Sequence, residues 1–207
     1  MNFNYKTVLF SLPAVLIGLT IHEFFHAFVA SKLGDTTAKE QGRLTLNPIK
    51  HIDLLGMVFL IFAGFGWAKP VSINRANLKN PRRDEILISI AGPLSNLVLG
   101  VIFINIFKLL GFLFPYTGEP VQEIIYNMII YSALLNFGLF VFNIIPVPPL
   151  DGSHVLFNTA GLSYELQAKL MKYGAYALII IIVVERKLNI NILPIGKAVK
   201  WLMNLFV

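Results

Sequence analysis

Long apolar runs separated by short polar loops dominate this chain. A bilayer core of about 30 Å is crossed by about 20 apolar residues in a helix. Three segments meet that standard: Thr7 to Leu33, Ile86 to Phe107 and Val121 to Ile145. Ala168 to Val184 is a shorter fourth run, and Ile190 to Val207, which a proline and two lysines interrupt, fits either a span or a helix at the interface. The pattern predicts an all-α, multi-pass membrane protein.

Two shorter stretches predict elements at the membrane surface. Leu54 to Trp67 is apolar but too short for a full crossing, which favours a re-entrant helix. Thr36 to Asn47 shows a brief polar and apolar alternation typical of strands, so we expect a small β element there. Residues 1–207 then form one membrane domain, with a core at about 5–160 and additional helices at about 165–207.

Composition agrees with a lipid environment and removes several kinds of chemistry. The 207 residues are 56% hydrophobic and 14% charged, whereas soluble chains carry about 25% charged residues. The chain has no cysteine, which excludes disulfides, a thiol nucleophile and an iron–sulfur centre. The net charge of +6 does not indicate nucleic-acid binding, because the basic residues are confined to loops.

The placement of those basic residues predicts how the chain is oriented. Loops rich in Lys and Arg remain in the cytoplasm, and both flanks of the predicted re-entrant helix are basic, whereas Pro115 to Gln122 has no basic residue. We therefore expect a cell-membrane protein whose N-terminus is outside and whose Pro146 to Ser153 segment lies at the cytoplasmic face. The flanking basic residues are Lys32, Lys39, Arg43, Lys50, Lys69, Arg75, Lys79, Arg82 and Arg83.

The first apolar segment carries ionisable residues in the pattern H-E-x-x-H, formed by His22, Glu23 and His26. Four residues advance a helix by about 400°, so both imidazoles project from one face and can bind one metal ion. Glu23 is placed to accept a proton from water at that metal. Ionisable groups in a membrane helix cost free energy, which metal binding offsets. The alternative is a hydrogen-bonded packing cluster.

Two histidines leave a catalytic zinc in need of a third protein ligand. Asp151 follows a proline-rich segment that ends the Val121 to Ile145 helix, and it approaches from the same side of the membrane as the histidines. Taken alone, Asp151 is equally well explained by an Asp-Gly turn. His154, three residues later, is the alternative third ligand.

Three motifs in this chain resemble those of the site-2 protease family of intramembrane zinc metalloproteases. They are H-E-F-F-H at 22–26, A-G-P-L-S-N at 91–96 and F-N-I-I-P-V-P-P-L-D-G at 142–152. The resemblance is to compact prokaryotic members without PDZ or CBS domains. It implies that His22, His26 and Asp151 bind zinc and that Glu23 is the catalytic acid and base. It also implies that Asn143 holds the substrate or the developing oxyanion.

Other polar residues have both a functional and a plain structural interpretation. Asn96 fits either a partner of a metal ligand or a helix-packing position. His51 fits either a residue facing the active-site cavity or an interfacial residue that caps a turn with Asp53. For Asn143, the structural alternative is an interhelical hydrogen bond or a helix cap.

The favoured function is hydrolysis of peptide bonds within or near the transmembrane segment of single-span membrane proteins. The substrate helix would unwind locally, because a membrane helix shields its own peptide groups. Two rivals remain: an ion or proton transporter, since intramembrane His, Glu and Asp also mark ion paths, and a non-catalytic metal-binding membrane scaffold.

Overall fold

The computed structural model describes residues 5–63, 66–188, 190 and 192–206. Helices dominate these residues, and the irregular segments between them are short. The α-helices in this part of the chain are α1 Tyr5–Lys32, α2 Thr37–Glu40, α3 Leu54–Ala63, α4 Pro81–Leu113, α5 Pro120–Ile144, α6 Asp151–Thr159, α7 Tyr164–Leu188 and α8 Ile195–Phe206.

Four of these helices are long and apolar enough to cross a membrane. They are Phe10–Lys32 within α1, Pro81–Leu113, Pro120–Ile144 and Tyr164–Glu185 within α7. The prediction of an all-α, multi-pass membrane protein is thereby confirmed. α4 and α7 extend beyond the predicted apolar runs at both ends, and their first turns include polar residues such as Asp84 and Glu165.

Helices α1, α4 and α5 form the central bundle, and α6 packs against α4. Ile104 of α4 and Ala133 and Phe137 of α5 form a buried apolar cluster between two of these helices. A Cβ atom on Gly100 would lie 2.6 Å from the ring of Phe137. The glycine therefore lets α4 and α5 approach closely, which is how membrane helices gain packing energy.

The predicted re-entrant segment contains a helix too short to cross a bilayer. α3 has 10 residues, and its first turn is stabilised by Asp53, whose Oδ1 accepts the backbone N–H of Gly56 at 2.8 Å. Ile52 and Ala68 then pair in an isolated antiparallel bridge. Residues 64 and 65, inside the predicted helix, lie outside the described part of the chain.

The β element expected over Thr36 to Asn47 is wrong. That segment contains the single helical turn α2, and no strand forms among the residues described here. The cause is Asp35, whose Oδ1 accepts the backbone N–H of Thr37 at 3.1 Å and its hydroxyl at 2.5 Å. Such side-chain bonds satisfy the first backbone donors of a helix and compete with strand pairing.

The final helix packs inward. Leu202 of α8 is 6% exposed and joins the cluster around Ile104, and the ring of Phe206 stacks on Phe137 with centroids 5.9 Å apart. The apolar face of α8 therefore covers α5. Residues 191 and 207 of the predicted terminal segment are outside the described residues.

Candidate metal centre

Three side chains from two distant parts of the sequence converge beside α4. His22 and His26 lie one turn apart on α1, and Asp151 is the first residue of α6. We call these three residues the zinc triad. Close contact between the end of α5 and the start of α6 requires Gly152, because a Cβ atom there would lie 2.6 Å from the carbonyl oxygen of Ile145.

The ligand atoms of the zinc triad are spaced as zinc requires. Nε2 of His22 lies 3.0 Å from Nε2 of His26 and 3.1 Å from Oδ2 of Asp151. Nε2 of His26 lies 3.4 Å from the same carboxylate oxygen. Ligands about 2.0–2.1 Å from a tetrahedral zinc lie about 3.3 Å apart. Oδ2 of Asp151 is buried and has no hydrogen-bond partner, so a cation is its natural partner.

The opposite ring nitrogens fix both histidines in the form that binds metal. Nδ1–H of His22 donates to Oδ1 of Asn96 at 2.7 Å, and Nδ1–H of His26 donates to the carbonyl of Ile88 at 2.7 Å. With the proton on Nδ1, each Nε2 carries a lone pair directed into the triad. Three electron-pair donors facing one point repel each other unless a cation lies between them. The residues present therefore fit zinc.

Gly92 on α4 makes room for both imidazoles. A Cβ atom on Gly92 would lie 2.6 Å from Cε1 of His26 and 2.8 Å from Cε1 of His22. Real side chains do not tolerate such distances, so only glycine lets α4 lie against the two rings. The A-G-P motif thus has a direct steric role at the metal centre.

Glu23 lies beside the triad on α1 and is shielded from solvent, with 7% of its surface exposed. Its Oε2 accepts the backbone N–H of Val71 at 3.0 Å. Val71 belongs to the irregular segment that follows α3, so this segment covers the carboxylate. This contact holds the Glu23 carboxylate in place on the helix that carries both histidines, where a general base would act.

Asp151 faces both histidines from the start of α6. Its Oδ2 lies 3.1 Å from Nε2 of His22 and 3.4 Å from Nε2 of His26. A carboxylate in this position is suited to bind a cation.

A polar cluster at the start of α4 fixes α6. Glu85 is 6% exposed and pairs with Arg75, whose Nε donates to Oε1 at 2.9 Å. Nδ2 of Asn158 donates to the other carboxylate oxygen at 2.8 Å. Arg75 also stacks over the ring of Tyr164 at 4.2 Å. Because Asn158 is on α6, this cluster holds the helix that begins with Asp151.

The remaining predicted residues fall into different surroundings. Asn96 contacts His22, as the interpretation of Asn96 as a partner of a metal ligand predicts. His154 lies with Nδ1 3.3 Å from Glu85 and is not part of the triad, so the alternative third ligand was wrong. Half-buried Asn143 donates to the carbonyl of Leu139 at 3.0 Å on its own helix.

His51 lines a cavity of about 430 Å³ between α1, α3, α5 and α7. It is 1% exposed, and its Nε2–H donates to the carbonyl of Thr45 at 2.8 Å instead of forming a cap with Asp53. Thr20 also lines the cavity, three residues before Glu23 and therefore on the same side of α1. The cavity thus lies along the part of α1 that precedes the motif, and neither Glu23 nor the triad is among its lining residues.

Sequence reasoning missed Asn136, which is fully buried on α5 and accepts a hydrogen bond from Asn96 at 3.0 Å. A signal was available. Ser132, Asn136 and Asn143 recur at spacings of four and seven residues in an apolar helix, which places all three on one face. Arg75 and Glu85 gave no comparable signal, because their pairing depends on a long-range contact.

Comparison with known proteins agrees with this geometry. The model of Peptidase family M50 matches residues 106–184. YwhC of Bacillus subtilis, described by name as a zinc metalloprotease, is 40% identical over 91% of this chain and 83% of its own length. This chain belongs to peptidase family M50. Rip2 of Mycobacterium tuberculosis, similarly described, is 30% identical over 92% of the chain and 71% of its own length.

A more distant relative of this M50 peptidase is the zinc metalloprotease MJ0392 of Methanocaldococcus jannaschii. It is 26% identical over 75% of the chain but only 35% of its own length. No solved structure matches the chain. The predicted family, the predicted enzyme class and the predicted zinc are therefore confirmed, and the triad is a group of side chains that could hold the ion.

Proposed function

We propose that this M50 peptidase hydrolyses peptide bonds within or near the transmembrane segment of single-span membrane proteins. The observation that carries the proposal is the position of the zinc triad, which lies between helices long enough to span a membrane. A protease of soluble substrates has no need to place its metal ligands in lipid, where polar groups are costly.

The proposed reaction divides the chemistry between the metal and the chain. Zinc, when bound at the triad, supplies a Lewis acid that polarises a peptide carbonyl and lowers the pKa of water. Glu23 takes the proton from the attacking water and returns it to the leaving amine. Asn143 turns its amide from Leu139 towards the substrate and donates a hydrogen bond to the oxyanion.

Access to the site supports a membrane-embedded substrate. The 430 Å³ cavity lies along the part of α1 that precedes the motif, and its walls are mostly apolar side chains such as Leu16, Leu139 and Phe142. A substrate helix would unwind as it enters, because its peptide groups are otherwise hydrogen-bonded within the helix. Val71 would release Glu23 when the substrate arrives, which frees the carboxylate for proton transfer.

The test is cleavage of a single-span substrate by purified protein. We expect Glu23→Gln to reduce the rate at least about 100-fold, the range typical for loss of a general base, while zinc content remains at one ion per chain. Glu165→Gln is the matched control, because Glu165 lies on the exposed surface of α7 and pairs only with Lys169. It should cleave at the wild-type rate.

Other outcomes favour the rival functions. Equal cleavage by wild type and Glu23→Gln would contradict the proposal. Zinc binding without cleavage in the wild type would indicate a metal-binding scaffold. Ion flux in proteoliposomes that depends on His22 and Glu23 would indicate a transporter.

We also propose that the protein lies in the cell membrane with the zinc triad towards the cytoplasm. The basic loops join the ends of α1 and α4 that are nearest to the triad, whereas the α4–α5 loop has no Lys or Arg. Since the chain has no cysteine, single substitutions can be labelled directly. In intact cells, a membrane-impermeant maleimide should label Thr117→Cys and not Lys79→Cys; the reverse would contradict the orientation.

A further inference from the structure

Asn96 and Asn136 form a polar contact between two membrane helices, and both side chains are 0% exposed. Nδ2 of Asn96 donates to Oδ1 of Asn136 at 3.0 Å and to the backbone carbonyl of Gly18 at 3.0 Å. Nδ2 of Asn136 in turn donates to the carbonyl of Ser132 at 2.9 Å. The contact therefore joins α1, α4 and α5.

These hydrogen bonds form a chain from His22 to the Ser132 carbonyl, in which each asparagine accepts from the residue before it and donates to the next. The Ser132 carbonyl orients the amide of Asn136, Oδ1 of Asn136 orients the amide of Asn96, and Oδ1 of Asn96 accepts Nδ1–H of His22. If the amide of Asn96 turned over, its oxygen would face two other oxygens and its NH₂ group would face Nδ1 of His22. The proton of His22 would then move to Nε2, the atom that must bind metal.

We propose that Asn136 is a positioning residue for zinc: it holds the amide of Asn96 in one orientation and so keeps Nε2 of His22 unprotonated and directed at the metal. Asn136 lies outside the three sequence motifs. It depends on the zinc triad but not on proteolysis, so a zinc-binding measurement tests it even if the proposed substrate is wrong.

Close packing of α1 and α5 around Asn136 allows this contact. A Cβ atom on Gly18 would lie 3.0 Å from Oδ1 of Asn136 and 2.9 Å from Cδ1 of Leu139. The missing side chain lets α5 approach α1 closely enough for the amide to reach Asn96. A buried amide in an apolar helix requires partners, and here the amide nitrogen and the amide oxygen of each asparagine have at least one hydrogen bond.

The first experiment measures zinc affinity of purified protein by competition with a chromophoric chelator. Asn136→Leu should weaken zinc binding about tenfold, at the lower end of the range for groups that orient a metal ligand. Ser132→Ala is the matched control, because it removes a buried hydroxyl from the same helix but keeps the carbonyl that Asn136 needs. Wild-type affinity in Asn136→Leu would overturn the proposal.

A double-mutant cycle separates positioning from a general loss of structure. Asn96→Leu should weaken zinc binding about 10- to 100-fold, and adding Asn136→Leu should weaken it no further, because Asn136 acts only through Asn96. Losses that multiply in the double variant would show that Asn136 acts independently and would contradict the proposal.

The conservative variant Asn136→Asp should restore most of the zinc affinity that the apolar variant loses. In Asn136→Asp, a neutral buried carboxylic acid can accept from Asn96 and donate to Ser132, so zinc affinity should return to within about threefold of wild type. The absorption spectrum of bound Co²⁺ should follow the same order. If Asn136→Leu does not fold, Asn136→Ala takes its place, with the melting temperature of the zinc-free protein measured alongside. Failure of Asn136→Asp to exceed the apolar variant would overturn the proposal.

Discussion

The helices that surround the zinc triad and the helix α7 are both apolar enough to lie in lipid, but they are buried to different extents. Within α1, 44% of the most apolar window is buried, whereas the corresponding value for α7 is 11%. α1 carries His22, Glu23 and His26 in its apolar part and contacts α4, α5 and the segment after α3. The exposed apolar surface of α7 includes Ile180 and Val183, which are 61% and 50% exposed.

The difference shows which part of the molecule depends on the exact positions of its side chains. Polar atoms in the helices around the zinc triad are hydrogen-bonded in series, so a change at one position disturbs the next. The outer surface of α7 faces an apolar solvent that is as favourable as the protein interior, so its contacts contribute little. We therefore expect sensitivity to substitution to fall steeply from α4 to α7.

The largest effect is expected at the glycine beneath the imidazoles. Gly92→Ala would place a methyl group 2.6 Å from His26 and 2.8 Å from His22, and the rings must move away from the metal position. We expect zinc affinity to fall about 100-fold, the upper end for disturbed ligand geometry. Zinc competition on purified protein measures this.

Gly111→Ala is the control on the same helix, because the nearest atom to its Cβ would be the hydroxyl of Tyr126 at 3.9 Å. Its zinc affinity should equal that of wild type. Equal affinity in Gly92→Ala as well would mean that the two rings do not lie against α4 as described.

The second-largest effect is expected on the free energy of unfolding, when a buried ion pair and an exposed ion pair are each broken. Glu85→Ala leaves Arg75 without its carboxylate and removes the hydrogen bond that Asn158 donates to Glu85, whose side chain is only 8% exposed. Loss of one partner of a buried pair costs about 3 kcal/mol. Glu165→Ala breaks an exposed pair with Lys169 on α7 and should cost less than about 0.5 kcal/mol. Unfolding in detergent measures both, and equal costs would contradict the distinction between the two regions.

A smaller effect concerns acid stability. Burial alone would raise the pKa of Asp35, but hydrogen bonds from Thr37, Asn77 and Asn74 hold it below its ordinary value. The carboxylate therefore stabilises the fold fully above its unfolded pKa of about 3.9, and this contribution is lost as the pH falls through the lower folded pKa. At pH 7, Asp35→Asn should lower the melting temperature by about 4 °C.

That difference between wild type and Asp35→Asn should shrink as the pH falls below about 4, since protonation removes the charge in the wild type. A melting curve series from pH 7 to pH 3 in detergent checks it. A difference that grows in acid would show that Asp35 is not held as an ionised acceptor.

The smallest effect is expected on the lipid-facing side of α7. Ile180→Ala should change stability by less than about 0.5 kcal/mol and leave zinc affinity unchanged, because the removed atoms contact lipid in place of protein. A large loss in either measurement would place α7 among the elements that build the site, and the comparison between the two regions would fail.

Sequence alone predicted the parts of this structure that follow from local rules. Span length located α1, α4, α5 and α7, and helical spacing put His22 and His26 on one face. The family resemblance then favoured Asp151 over His154 as the third ligand. The β element over Thr36 to Asn47 was wrong because one carboxylate, Asp35, outweighed a weak alternation.

The supporting contacts could not be predicted because they join residues far apart in the chain. Asn96 reaches His22 across 74 positions and Asn136 reaches Asn96 across 40. Glu85 meets Asn158 across 73 positions. No local pattern encodes these pairings, although a buried asparagine in an apolar helix is itself a sign that a partner exists.

X-ray absorption at the zinc edge tests the central claim most directly. For purified wild type we expect one zinc with two imidazole nitrogens and one carboxylate oxygen at about 2.0–2.2 Å, and for Asp151→Ala we expect loss of the carboxylate together with most of the zinc. A wild type without zinc, or an unchanged zinc spectrum in Asp151→Ala, would contradict the account.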